Sequence, residues 1–292
     1  MARRPVPASP TTVRPPLGRA APLVFDSPHS GFGWPEDFAP VASLEAIRTT
    51  WDAHVDRLFE GAPSAGATLV AATFPRAYID VNRAVGDIDE ALVAGRWEGA
   101  LAPTDYSRRG MGLVRRDALP GVPMYSRPLT VDAVRARIEH WYTPYRATLA
   151  SVIDDLHATH GMVWHLNCHS MKSRGNAMNV DAGAARPDIV VSDRRGVTAA
   201  AELTARIVAW FASRGYRVRA NDPYQGGDLV RTFGDPARGR SSVQLEINRA
   251  LYMDEVTTEP SAGFAPLQAE LTAFARELAQ WAREAVAAHA HG

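Results

Sequence analysis

The 292-residue sequence has a single cysteine, Cys168, which excludes an internal disulfide framework and fits the reducing cytoplasm expected for it. Lysine is almost missing. Lys172 is the sole one, and arginine supplies the rest of the 32 basic residues, a bias that fits a GC-rich genome better than a functional demand. No charge sign dominates either, because the basic residues are balanced by 32 acidic ones. Hence no basic excess points to nucleic acid, and no acidic tail points to disorder. No apolar run approaches the roughly 18 residues that span a bilayer, and the N-terminus lacks the continuous apolar core of a secretory signal. There is no HExxH helix, Walker lysine or dinucleotide-binding glycine pattern. What remains is the profile of an ordinary soluble protein, 46% hydrophobic and long enough to bury a full core in one domain.

Residues 1–20, rich in Pro, Arg and Thr without periodicity, predict a surface arm, partly disordered, ahead of a single domain over 21–292. A strand is expected over Leu23–Ser27. Leu44, Ile47, Trp51, Val55, Leu58 and Phe59 then recur at three- and four-residue spacing and predict one helix, stopped by Gly61 and Pro63. A second strand follows over 67–73, with 77–81 extending it or forming a bend. Residues 84–128 hold much Gly, Pro, Asp and Arg and little periodicity; a loop of that length predicts an active-site cover with short elements of its own. Val134, Ile138, Trp141, Tyr145, Leu149, Val152 and Leu156 stripe a helix that Pro144 bends or divides. Strands over 162–167, 189–192, 216–220 and 243–247, a helix over about 197–214 and a closing helix over 265–288 complete the chain. Such alternation predicts an α/β protein whose mostly parallel sheet is covered on both faces.

Two histidines stand where polar residues interrupt apolar strands: His29 in Ser27-Pro28-His29-Ser30-Gly31, and His169 in Asn167-Cys168-His169-Ser170. Hydrolysis assisted by zinc needs about three nitrogen or oxygen ligands, an open position and a nearby carboxylate. These histidines are the imidazole candidates. The acidic candidates are Asp52 and Asp56, four apart on one face of the predicted helix, with His54 on another. His165 and His169 are also four apart, but on a strand that spacing makes no metal pair. Glu246, between Leu245 and Ile247, is costly to bury unless paired, for instance with Arg249, or used as a general base. Arg76, Asp80, Asn82 and Arg83 crowd one short string. Guanidinium groups there can grip a carboxylate or steady an oxyanion, or Asp80 and Arg83 form a structural pair. Cys168 and His169 point to opposite strand faces and make no thiol–imidazole dyad.

Taken in order, these strings resemble the N-formylglutamate amidohydrolase family over nearly all of residues 20–258. They are Ser27 to Gly31, Asp52 to Leu58, Tyr78 to Arg83, Cys168 to Met171, Asn221 to Gly227, Gln244 to Ile247 and Leu251 to Glu255. The resemblance implies a three-layer α/β/α fold around a mixed, mostly parallel sheet, similar to zinc carboxypeptidases (phosphorylase/hydrolase-like). It implies His29 and His169 as ligands of one Zn²⁺, for which Co²⁺ or Mn²⁺ would also serve, and Glu246 as base and proton shuttle. Asn82 and Arg83 would bind the substrate's α-carboxylate, and Arg76 would polarise the scissile carbonyl. Carboxypeptidases carry their acidic ligand three residues after the first histidine, where this chain has Phe32, so that role passes to Asp52, ahead of Asp56 and Glu36.

The implied activity is hydrolysis of a small molecule, N-formyl-L-glutamate, to formate and L-glutamate. Arg108, Arg109 or Arg115 of the cover would read the γ-carboxylate. The alternatives are a deacylase or carboxypeptidase acting on another N-acyl amino acid or short peptide, and a metal-free binding protein on the same scaffold. No nucleic-acid or membrane partner is expected.

Overall fold

Apolar side chains fill both faces of the central strands, so the sheet they form must be covered twice. In the computed structural model, which describes residues 4–5 and 8–289, seven strands make that sheet. They are β1 (Thr11–Arg14), β2 (Leu23–Ser27), β3 (Thr68–Ala72), β4 (Val163–Met171), β5 (Ile189–Ser192), β6 (Val218–Ala220) and β7 (Arg240–Asn248). Their order is β6-β5-β7-β4-β2-β3-β1. The pairs β6–β5, β7–β4, β4–β2 and β2–β3 are parallel, whereas β5–β7 and β3–β1 are antiparallel. The mostly parallel mixed sheet expected from the sequence is therefore present.

The helices are α1 (Leu44–Arg48), α2 (Val55–Leu58), α3 (Asp105–Arg108), α4 (Val131–Arg137), α5 (Thr143–His160), α6 (Ala201–Ala212), α7 (Asp228–Phe233) and α8 (Phe264–His289). On one face Phe25, Leu166, Cys168 and Leu245 pack with Leu58 of α2, Ile207 of α6 and Phe274 of α8. On the other, Val24, Val70 and Val163 pack with Tyr145, Leu149 and Ile153 of α5. Two cores on opposite faces make three layers. No helix among the described residues is long and apolar enough to cross a membrane.

Four local expectations give way to tertiary context. Part of the predicted arm is the edge strand β1, antiparallel to β3 with Thr11 opposite Ala72. Only Thr11 of it is buried, so ladder hydrogen bonds hold it in place and it leaves no apolar period to read. The helix expected over 44–59 is two short helices, and the chain between them turns at His54, whose φ is 65°. Ile47, Trp51, Val55, Leu58 and Phe59 are all buried as their spacing requires, yet the break swings Asp52 toward the sheet. Strand β4 runs four residues past its predicted end at Asn167, because Asn167 and His169 are buried polar residues inside the strand. Finally, Pro144 divides nothing. It lies in the first turn of α5, where its missing N–H is no loss, and a π turn over 138–142 joins α4 to α5.

Candidate active site

Strands β2, β4 and β7 are parallel neighbours, and their carboxyl ends open on one edge, where α/β sheets hold their ligands. His29 follows β2, His169 lies near the end of β4, and the β4–β7 register sets Glu246 directly beside His169. A cavity of about 140 Å³ opens there, lined by these three residues, Asp52, Arg76, Asn82 and Arg83. Tyr106, Met111 and Arg115 of the segment 84–128 complete its wall. That segment does border the site.

His29, Asp52 and His169 are buried and converge, with one ligand atom from each lying within 4.8 Å of the others. The hydrogen-bond network decides which atoms those are. His29 Nε2 donates to Asp80 Oδ1 at 2.7 Å, which leaves Nδ1 without a proton, 3.3 Å from Asp52 Oδ2. His169 is fixed by a longer chain. The Asn167 amide N–H donates to Asp26 Oδ1 at 2.9 Å, so its Oδ1 must accept from His169 Nε2 at 2.6 Å. That leaves His169 Nδ1 bare as well, 3.1 Å from the same Asp52 oxygen. As neutral imidazoles in these tautomers, His29 and His169 turn both Nδ1 lone pairs toward Asp52 Oδ2, an arrangement that can hold a cation. The two separations from Asp52 Oδ2 fit too: bonds of about 2.1 Å at tetrahedral angles set ligand atoms about 3.4 Å apart.

Arginine surrounds the carboxylates. Asp52 accepts from Arg249 at 2.8 Å through its other oxygen. Burial pushes Asp52 up, but hydrogen bonds from His169 and His29, formed when their Nδ1 atoms carry protons in place of a cation, together with Arg76 hold it well below the ordinary carboxylate range. Asp80 is likewise held down against burial by Arg76 and His29. Glu246 is the contrary case. Its Oε1 accepts from Gln244 at 2.9 Å, and burial, the largest influence on it, raises its pKa. Arg249 is committed to Asp52, Thr49 and Ser170, and makes no pair with Glu246 among the described contacts.

The remaining expected residues divide. Arg76 lines the cavity but is bound to Asp80 through Nε at 3.2 Å and through a terminal nitrogen at 2.6 Å. Arg83 donates to Met111 O at 3.1 Å, and its guanidinium stacks 3.8 Å over the Tyr106 ring. The Asn82 amide donates to Asn167 and accepts from the Leu229 N–H. Asp56 and Glu36 lie outside the converging group, Glu36 being exposed. Arg108 and Arg109 are exposed, the former paired with Asp105, whereas Arg115 is buried in the cavity wall.

Asp80, Asn167, Asp26 and Arg249 are the residues that sequence reasoning did not assign to the site. The only signal available was polarity inside apolar strings, as in Asp26 and Asn167. Asp26 also accepts from Tyr145 at 2.8 Å and from His165 Nε2 at 2.7 Å, and His165 Nδ1 meets Ser242 Oγ at 2.7 Å. That Ser–His–Asp string is buried and absent from the cavity lining, so it braces Asn167 behind His169 and offers no nucleophile.

The site therefore joins a trio that could hold a cation to a carboxylate with no ion pair among the described residues, beside part of the segment 84–128. The model of the N-formylglutamate amidohydrolase family matches residues 21–253. The chain belongs to that family. Among family relatives, the N-formylglutamate deformylase of Pseudomonas aeruginosa is 30% identical over 273 residues, 90% of this chain and 94% of the relative. That of Pseudomonas putida is 29% identical over 82% of this chain and 84% of its own length. The crystal structure of N-formylglutamate amidohydrolase from Ralstonia eutropha JMP134 superposes with a TM-score of 0.91 at 42% identity, over 95% of this chain and 99% of that one. Family membership and fold thus agree along almost the whole length.

Proposed function

We propose that the chain hydrolyses N-formyl-L-glutamate to formate and L-glutamate, with one Zn²⁺ held by His29, Asp52 and His169. The observation that carries the metal is the bare, converging donor set described above; the names of the relatives support the substrate. When bound, such an ion polarises a carbonyl oxygen and acidifies water at its open position. The protein does the rest. Glu246, ionised, takes a proton from the attacking water through Oε2 as the new C–O bond forms at the formyl carbon. It returns that proton to the amide nitrogen, and the C–N bond breaks to give formic acid and the neutral amine; the acid's proton then passes to the amine, leaving formate and the ammonium form of L-glutamate. Arg76, steadied by Asp80, supplies positive charge near the carbonyl oxygen as negative charge develops there. Arg83 holds the α-carboxylate, with Asn82 anchoring the same wall.

Metal analysis with a formate assay tests this reading. Purified protein is expected to hold about one equivalent of zinc and to release formate and L-glutamate in equal amounts. Zinc-loaded protein that releases no formate from any N-formyl amino acid would overturn it, and release from N-acetyl amino acids or short peptides in preference would favour a broader deacylase. A second expectation concerns Asp80, which holds the His29 tautomer. Asp80→Asn should weaken zinc binding about 10- to 100-fold in a chelator competition; unchanged affinity would remove Asp80 from that role.

A further inference from the structure

Arginine fills every Lys/Arg position of this chain except one, and that one, Lys172, lines the cavity. A lysine adds something that a guanidinium cannot supply: an amine able to lose its proton and offer a lone pair to a new bond. Lys172 comes directly after β4 and is half-buried. Its side chain makes no ion pair among the described residues. Its backbone carbonyl accepts from Arg186 at 3.2 Å. Glu255, an acidic neighbour of the amine, is already engaged, accepting from the Ser173 N–H at 2.7 Å and from the Ser173 hydroxyl at 2.6 Å.

Six arginine and lysine side chains line the cavity against two carboxylates, Asp52 and Glu246. Several of the cations have partners: Arg249 has Asp52, Arg76 has Asp80, and Arg186 grips both oxygens of Asp181 at 2.7 and 2.8 Å. Arg115 has nothing comparable. It is 8% exposed, its Nε has no hydrogen-bond partner, and it forms no ion pair among the described residues. A buried cation left in that state is costly. Burial, then the charges of Arg249 and Arg115, push Lys172 down to about 8, so a substantial part of its amine is neutral at mildly alkaline pH. One cavity of about 140 Å³ thus holds a nucleophilic amine and a guanidinium without an anion.

Carbon dioxide answers both. The Nζ lone pair attacks its carbon, an N–C bond forms as a C–O π pair moves onto oxygen, and the nitrogen releases a proton to water. Nothing is oxidised or reduced. The side chain ends as an anion with two oxygens, which a guanidinium can take through two parallel hydrogen bonds. An acyl group on the same amine would only remove a positive charge, whereas a carbamate reverses it and is the adduct that a cationic wall favours. We infer that Lys172 is a reversible modification site that takes up carbon dioxide as a carbamate, with Arg115 as the cation that holds it. Nothing in this site requires zinc at His29, Asp52 and His169, or formate as a product.

The test equilibrates purified, zinc-loaded protein with isotopically labelled bicarbonate at a pH near that of the Lys172 midpoint. Carbamates are then trapped as esters with a trialkyloxonium salt and located by peptide mass spectrometry, with the N-terminal amine as internal reference. Lys172 should carry about 10-fold more ester than that amine, the gain expected of a charge-assisted hydrogen bond. Carbon NMR should show a carbamate resonance that Lys172→Gln lacks. Arg115→Met should lower the Lys172 ester about 10-fold and leave the N-terminal ester unchanged. Because that variant removes a buried charge without a partner, it should melt no lower than the parent. Ester on the N-terminal amine alone, or equally on both amines, would overturn the site in the unaltered protein whatever the variants do. Undiminished Lys172 ester in Arg115→Met would overturn Arg115 as its holder. Formate release measured on the same preparation can succeed or fail without altering either result.

Discussion

Glu246→Gln is expected to lower kcat for formate release by about 10²- to 10⁴-fold, the range that a positioned general base supplies, and to leave zinc content unchanged. The amide keeps the shape of the side chain, and its oxygen can still accept from Gln244. It cannot take a proton from water. Stability should move the other way. Burial raises the Glu246 pKa above its ordinary 4.5, so the folded chain binds this proton more tightly than the unfolded one does. Folding stability from this group is then fully present at low pH and falls as pH rises through the window above 4.5. Metal-free Glu246→Gln should therefore melt higher than metal-free parent at pH 8 and no higher at pH 4. Near-normal turnover in the variant would sink the base assignment, and identical melting curves at pH 8 would sink the account of its burial.

Asp52→Ala should be the most damaging single change in the site. The residue is 1% exposed and joins both imidazoles to Arg249, whose guanidinium is also buried. Its loss removes a ligand and strands a positive charge next to Arg76. Breaking one partner out of a buried ion pair costs about 3–5 kcal/mol, and zinc binding should disappear with it. Asp52→Ala/Arg249→Met separates the two roles: removing the stranded charge should restore most of the stability in urea unfolding and none of the zinc. A double variant as unstable as the single one would show that Arg249 is not what makes the loss costly.

The histidines and Glu246 were legible before folding because each breaks an apolar string. A polar residue in such a place is expensive and therefore informative. Asp52 was legible as one of two carboxylates in a helical pattern, but the choice over Asp56 was not. The helix stops at Thr49 and restarts at Val55, and no local propensity announces that break, since the apolar stripe is honoured on both sides of it. The tautomers were out of reach for the same reason. They depend on Asp80 and Asn167, and on Asp26 behind Asn167, which are neighbours in space on different strands and loops.

What the sequence determined by itself was the kind of protein: a single cysteine, balanced charge, alternating strands and helices, and a few polar residues at strand ends. These follow from composition and period, which are local properties of the chain. Only the tertiary structure decided that a nitrogen from each of two imidazoles and one carboxylate oxygen meet. It also decided that, of the three candidates Arg108, Arg109 and Arg115, only Arg115 is buried in the cavity wall, with no ion pair among the described residues. Such facts depend on parallel register and on what a long irregular segment packs against, and the physical reason is plain: a charge's meaning is set by its neighbours, and most of these neighbours lie far away along the chain.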